Sequence, residues 1–334
     1  MGTATERRRA RYRNRYLEQV EGRGLWRWQW DRMRNPRRAM RGPIVGVEPD
    51  LARIHTPTAE PRFTWVGHAT LLAQVGGIHV LTDPHFGRVA SPLRFGPTRH
   101  QPPGVAFDDL PRIDVVVVSH NHYDHLDLGT VQRLMRQEPE PPTFLVPRGV
   151  ERWFRRWVRG AVTEGPHRTV IGCDWDDEFV HPSGVRFRFL AVQHWSARAL
   201  HDRYRTLWGS WGVLAPGMTF WFSGDLGYSP DIADARASLG EVDVAAISIG
   251  AYDPRWIMRA SHLDPEEAVL ALEDLAAKAA IAVHWGTFED LTDEPLDEPP
   301  DLLRAALGAR GIDRDRFVVP KHGQTLVWDG ARLR

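Results

Sequence analysis

Four consecutive valines, Val115 to Val118, run directly into Ser119, His120, Asn121, His122, Tyr123, Asp124, His125, Leu126 and Asp127. A short apolar run bounded by polar residues suits a strand buried on both faces of its sheet. The residues after it change character at once. Three imidazoles and one carboxylate fall within the six residues 120–125. Clustered imidazoles bring no packing benefit, whereas nitrogen donors joined by a carboxylate suit a borderline-soft cation such as zinc. A tight loop at the carboxyl end of a buried strand can turn such side chains toward one point, and open α/β sheets place their sites there.

Length and charge narrow the rest. The chain has 334 residues, 42% of them hydrophobic, enough for one large domain or two ordinary ones. Formal net charge is zero, so no whole-molecule field favours an acidic partner. Basic residues nevertheless crowd the first forty or so positions, and acidic ones gather between Glu289 and Asp301. The single cysteine, Cys173, has no internal partner, which favours a reducing, cytoplasmic compartment. The opening residues lack the apolar core of a secretory signal. No apolar run is long enough to span a bilayer. A soluble or peripheral protein is expected.

The chain divides near residue 60. Residues 1–60 read as a basic, Trp-rich arm, in which Arg7, Arg8, Arg9, Arg11, Arg13 and Arg15 precede Trp26, Trp28 and Trp30. Rings at headgroup level and cations facing anionic lipid suit a membrane surface, on the inner face of the membrane. Nucleic acid is a weaker fit, and tryptophans packed on the following domain account for the composition equally well. Residues 61–334 read as the catalytic domain. Phe63–Val66, Thr70–Val75 and Ile78–Thr82 are expected strands, with Gly76-Gly77 as a hairpin turn. The Pro- and Gly-rich stretch 86–110 is a long loop of the kind that carries function. Helices are expected over 128–137, 150–158 and 264–277, the last capped by Asp264 with Pro265 in its first turn. Further strands are expected over 143–146, 184–192, 207–214, 219–222, 242–249, 281–283, 318–319 and 325–328.

Several of these strands end in a polar group: His120, His194, Asp225 and His284. Taken singly, His194 beside Trp195 and His284 beside Trp285 read as satisfied core histidines. Taken with the His120 loop, and with Asp225 following an apolar strand and Gly224, they read as ligands delivered to one sheet edge. Asp83 at a strand end and His68 in the turn before Thr70 could orient ligand imidazoles. Ordinary turn chemistry explains both as well.

The pattern His-x-His-x-Asp-His, from His120 to His125, resembles the metallo-β-lactamase superfamily. Further stretches are similar to one family within it, the N-acyl-phosphatidylethanolamine-hydrolysing phospholipase D family. They include Thr64–Thr70, Leu81–Pro84, Leu207–Trp211, Ile249–Tyr252 with Pro254–Trp256, His262–Ala268, His284–Phe288 and Lys321–Gly323. The resemblance implies an αββα sandwich, two stacked mixed sheets flanked by helices. It implies two zinc ions, with His120, His122 and His194 on the first, Asp124, His125 and His284 on the second, and Asp225 between them. Such a pair activates water and offsets charge on the attacking and leaving oxygens. The implied reaction cleaves a glycerophospholipid phosphodiester to phosphatidic acid and N-acylethanolamine.

Asp124 and His262 are the candidates for proton handling, His262 equally for a phosphate contact or a plain residue before the Asp264 helix. Tyr123, Tyr252, Trp256 and His322 are candidates for the substrate pocket or for the core. Ser261 departs from the larger amide usual before that histidine. Competing readings are a lactonase or sugar-phosphate lactone hydrolase of the same fold, a nuclease, and a non-catalytic binding protein. An oligomer is compatible with the sequence.

Overall fold

The four valines point alternately to two different cores. Val115 and Val117 join Phe63, Trp65, Phe187, Trp211, Phe220 and Ile281 in the layer between two sheets. Val116 and Val118 face the other way, against Leu72, Val131, Phe144 and Phe154. Period-2 alternation with both faces covered explains why the run carries no polar residue. The computed structural model describes residues 11–18, 24–34, 38–93, 95–199 and 201–334. The expectations for Arg7, Arg8 and Arg9 lie outside them.

The first sheet contains β1 (Arg62–Gly67), β2 (Thr70–Val75), β3 (Ile78–Thr82), β5 (Val115–Val117), β6 (Thr143–Pro147), β7 (Val170–Cys173) and β16 (Thr325–Val327). Its order is β16-β1-β2-β3-β5-β6-β7, antiparallel from β16 to β3 and parallel from β3 to β7. The second contains β8 (Glu178–Val180), β9 (Arg186–Leu190), β10 (Ser210–Ala215), β11 (Met218–Phe222), β12 (Val244–Ser248), β13 (Ala279–Val283) and β15 (Phe317–Val318). Its order is β15-β13-β12-β11-β10-β9-β8, with β11, β12, β13 and β15 parallel. A two-stranded sheet pairs β4 (Thr98–Arg99) with β14 (Phe288–Glu289).

Helices cover the outer faces. Helix α1 (Leu25–Arg34) belongs to the amino-terminal segment, and the first sheet is flanked by α2 (Leu51–His55), α3 (Leu128–Leu134) and α4 (Glu151–Trp157), which bury Ile54, Val131 and Phe154 against it. On the second sheet lie α5 (Asp231–Leu239), the short α6 (Arg255–Met258), α7 (Pro265–Leu275) and α8 (Pro299–Ala309). Of these, α5, α7 and α8 bury Ile232, Val269, Leu272 and Leu303 against Trp221 and Ile247. The expected caps hold. Asp264 accepts from the Glu267 amide and Glu267 reaches back to the Asp264 amide, with Pro265 inside the first turn. The helix expected over 128–137 stops at Leu134. The stretches 170–173, 178–180, 231–239 and 299–309 form elements that the sequence pattern did not reveal.

Residues 11–60, where described, lie on the sandwich. Arg15 donates to Asp176 at 2.6 Å and Trp28 Nε1 to Asp293 Oδ2 at 2.6 Å. Arg38 pairs with Glu298 and Asp253. The acidic stretch 289–301 is therefore the docking ground for Trp28 and Arg38 of the basic segment.

Burial creates one acid-sensitive point. Both ring nitrogens of His85 are buried with no hydrogen-bond partner among the described residues. Burial draws its pKa down to about 4. The unfolded ring takes a proton near pH 6.5, the folded one only near 4, so between those values the unfolded chain binds more protons. Stability is then lost as pH falls through that window and levels off below it. The contribution is on the order of 3 kcal/mol. His85→Phe is expected to flatten this limb, read as the difference in urea midpoint between pH 7 and pH 5. An unchanged difference would show that His85 is not its source.

Candidate metal centre

The carboxyl ends of β3, β5, β11 and β13 meet at one edge of the sandwich, where the loops that follow deliver their side chains. His120, His122 and His194 form one group whose donor atoms lie within 4.8 Å of one another. His68, Asp124, His125 and His284 form a second. Asp225 stands between the two. Its Oδ2 is 3.1 Å from His125 Nε2 and 3.9 Å from His120 Nε2, and its Oδ1 is 3.1 Å from His284 Nε2. All seven residues expected as ligands therefore converge. Stretches more than 150 residues apart in sequence meet here, since His125 and His284 face each other at 3.2 Å.

The electrostatics of this volume ask for a cation. Burial alone would raise Asp124 and Asp225, yet the facing His125 and His284 imidazoles hold both well below the usual carboxylate range. Burial works against charging His284, but Asp225 and Asp124 outweigh it and lift it to about 9. His120, His122 and His194, by contrast, are driven toward the neutral form by burial, His122 to about 3. Neutral imidazole is the form that ligates. The Nε2 atoms of His122 and His194 are buried without a hydrogen-bond partner. Orphaned ring nitrogens beside two carboxylates fit a bound divalent metal, since an unsatisfied buried acceptor is otherwise costly.

The surrounding groups aim the rings. Asp83 accepts from His125 Nδ1 at 2.6 Å, so Nε2 faces the centre. His194 Nδ1 donates to the Ser261 carbonyl at 2.8 Å. His120 Nδ1 lies 2.9 Å from Ser119 Oγ. His68 donates through Nε2 to Asp124 at 3.0 Å, and its ring packs on that of His284 with centroids 3.9 Å apart. His68, Asp83, Ala251 and His284 all adopt left-handed backbone, with φ of 53°, 31°, 63° and 60°. Non-glycine residues hold such angles only where the surroundings over-determine them, and they gather at sites.

Sequence reasoning placed His68 and Asp83 beside the ligands but missed the carbonyl of Ser261. A main-chain acceptor has no residue-type signal. The departure at Ser261 is harmless to this contact, because the side chain takes no part in it.

His122, Asp124, Asp225 and His262 open onto a cavity of about 530 Å³. Trp28, Trp195, Ile257, Met258 and Leu291 supply its apolar wall, and Arg198 and Arg203 also line it. His262 is largely but not fully buried, and burial holds its pKa down at about 4. Its Nδ1 lies 3.8 Å from Asp225 Oδ2. Tyr123 lines the cavity and donates to the Arg198 carbonyl at 3.0 Å.

Three expectations for the pocket are corrected by position. Tyr252 is buried and donates to Glu298 at 2.8 Å, away from this cavity. Trp256 is half exposed, with Arg27 over its ring. His322 is buried against Trp65, between Gln101 and Thr287. Tyr252 and Trp256 sit beside Ala251, Ile257 and Met258, which do line the cavity, and aromatic character alone does not say which way a loop faces.

The chain matches the family model described as the beta-lactamase superfamily domain over residues 79–285. It is 38% identical over 274 residues to the N-acyl-phosphatidylethanolamine-hydrolyzing phospholipase D 1 of Caenorhabditis elegans, covering 80% of this chain and 75% of that one. It is 30% identical over 291 residues to the mitochondrial N-acyl-phosphatidylethanolamine-hydrolyzing phospholipase D of Saccharomyces cerevisiae, covering 84% of this chain and 60% of that one. The metallo hydrolase Igni18 from the archaeon Ignicoccus hospitalis shares the fold, with a TM-score of 0.58 at 18% identity over 80% of this chain and 98% of that one. Sheet order, converging donors and these likenesses agree, and the chain belongs to the metallo-β-lactamase superfamily and, within it, to the N-acyl-phosphatidylethanolamine-hydrolysing phospholipase D family.

Proposed function

We propose that the protein is a di-zinc phosphodiesterase of phospholipase D type. Its substrate is an N-acyl-phosphatidylethanolamine-like glycerophospholipid, and its products are phosphatidic acid and an N-acylethanolamine. The observation that carries this is the meeting of two donor groups, joined by Asp225, at the floor of an apolar-walled cavity. When bound, two zinc ions supply an activated water and positive charge against the phosphate oxygens. His120, His122 and His194 would hold one, Asp124, His125 and His284 the other, and Asp225 both.

The chain's own residues do the rest. The apolar wall takes acyl chain and excludes water from the phosphate. His262, neutral at pH 7, offers an N–H to a phosphate oxygen beside Asp225. Asp124 faces the same space and would take the proton of the attacking water and return it to the ethanolamine oxygen as its bond to phosphorus breaks. Arg198 and Arg203 add positive charge to the lining that an anionic diester enters.

The test is mass-spectrometric analysis of products after the metal-loaded protein is incubated with a total lipid extract. Paired release of phosphatidic acid and N-acylethanolamines is expected. Opening of a lactone panel without any diester cleavage would replace this reading with the lactonase one.

The same reading places the protein at the cytoplasmic face of a membrane. Trp26, Trp30 and Met33 occupy i, i+4 and i+7 of α1 and are 87%, 52% and 74% exposed, while Trp28 on the opposite side lines the cavity. No helix among the described residues is long and apolar enough to cross a membrane. A shallow apolar stripe beside Arg27 and Arg34 suits an interfacial helix on anionic lipid. Replacing Trp26 and Trp30 by Ala is expected to weaken flotation with phosphatidylglycerol vesicles about tenfold. Equal flotation of the variant would remove the membrane from the proposal.

A further inference from the structure

We propose that Asn14, in the amino-terminal segment, is a positioning residue for the metal ligand His194, so that residues 12–18 act as a strap holding the first donor group in place. The proposal rests on the metal reading above and adds to it a residue 180 positions upstream of its ligand.

The strap is defined by contacts spread along its length. The Tyr12 amide donates to the Tyr204 carbonyl at 2.9 Å. Arg15 donates to Asp176 at 2.6 Å, and its guanidinium lies 5.3 Å from the centre of the Trp175 ring. Tyr16 Oη donates to Asp234, and Gln193 Nε2 donates back to the Glu18 carbonyl at 3.2 Å. The segment therefore crosses the second sheet directly over residues 193–195.

At its centre Asn14 Oδ1 accepts from two groups. The His194 amide donates at 3.2 Å and Trp208 Nε1 at 3.1 Å. Both partners are obligate donors, so the oxygen, and not the amide nitrogen, must face them. The two donors come from different elements. His194 lies beyond β9 and Trp208 just before β10, so one oxygen ties the ligand's backbone to the buried Trp208.

The His194 ring is fixed from the other side by the Ser261 carbonyl at Nδ1. Side chain and main chain are thus pinned by separate groups, and its Nε2 is left aimed at His120 and His122. His194 lies beyond the end of β9 at Leu190, next to the isolated bridge between Gln193 and Gly227. Asn14 adds to that bridge a clamp from the amino-terminal segment.

Partners of metal ligands cost about 10–100-fold in affinity when removed. Asn14 acts through the backbone, so the lower end applies. The experiment loads the full chain with zinc and follows its release to a chromophoric chelator. Wild type is expected to release two zincs in two phases. Asn14→Ala should speed one phase about tenfold and leave the other unchanged, while Asn14→Asp, which keeps an acceptor oxygen, should restore the wild-type rate. Asn14→Leu, similar in volume but without an acceptor, repeats the test if the alanine variant folds poorly.

Two wild-type phases in folded Asn14→Ala or Asn14→Leu would overturn the proposal, as would equal acceleration of both phases or failure of Asn14→Asp to restore the rate. A wild-type protein that binds no zinc would instead overturn the metal reading, so the two failures are told apart. A strap that served only stability would shift thermal unfolding without separating the two phases.

Discussion

Alanine at position 225 is expected to strip metal from both donor groups and to lower hydrolysis by on the order of 10³-fold or more. The carboxylate lies within 3.1 Å of His125 on one oxygen and of His284 on the other. Removing it leaves the imidazoles of His120, His122, His125, His194 and His284 around a centre with one carboxylate, Asp124, off to one side. Two divalent cations held by that set would repel each other across a few ångströms with nothing between them to offset the charge. The measurement is zinc per chain by elemental analysis after gel filtration, with circular dichroism to confirm the fold. Retention of two equivalents in the folded variant would refute the bridging role.

The convergence of these donors was legible because three of them obey a positional rule that the sequence displays. His120 follows an all-valine strand, Asp225 follows β11 and a glycine, and His284 follows β13. Burial on both faces makes such strands conspicuous, and a polar residue directly after one has little other reason to be there. Strands and helices with weak patterns were not legible. Val170–Cys173 is four residues long, too short for any period to show. In α5, Ile232, Ala235 and Leu239 fall at i, i+3 and i+7, but alanine barely marks a face. In α8 the pair Pro299-Pro300 looks like a loop, although proline is at home in a helix's first turn, where no amide needs a partner.

The pocket was less legible than the centre for a different reason. A ligand must reach one point, so its spacing is constrained. A wall residue need only be near, and many side chains qualify. Trp28 illustrates this. It was read only as one of three tryptophans in a basic segment, yet it alone of Trp26, Trp28 and Trp30 turns inward to the cavity. The helical period separates it from its neighbours, since two positions along a helix is nearly the opposite side. The pairing of that segment with the acidic stretch 289–301 needed coordinates, because charge complementarity between remote stretches has no local signature.

Asp83→Ala is expected to weaken zinc binding at the Asp124, His125 and His284 group by about 10–100-fold and to destabilise the fold by several kcal/mol. Asp83 is fully buried, and its two oxygens have separate duties. Oδ1 accepts from the Ser119 amide at 2.6 Å, and Oδ2 from His125 Nδ1 at 2.6 Å and from the Ser119 hydroxyl at 2.5 Å. Alanine orphans all three donors and frees the His125 ring to turn. The informative comparison is Asp83→Asn, which preserves volume but has one oxygen. If that oxygen serves Ser119, the amide NH₂ faces His125 Nδ1 and forces the other tautomer, placing the proton on the nitrogen that should ligate. Asparagine should therefore lose zinc almost as severely as alanine while keeping most of the stability. Zinc affinity and urea midpoint, measured on both variants, separate the two duties. Wild-type affinity in Asp83→Asn would show that His125 is aimed by packing and not by this carboxylate.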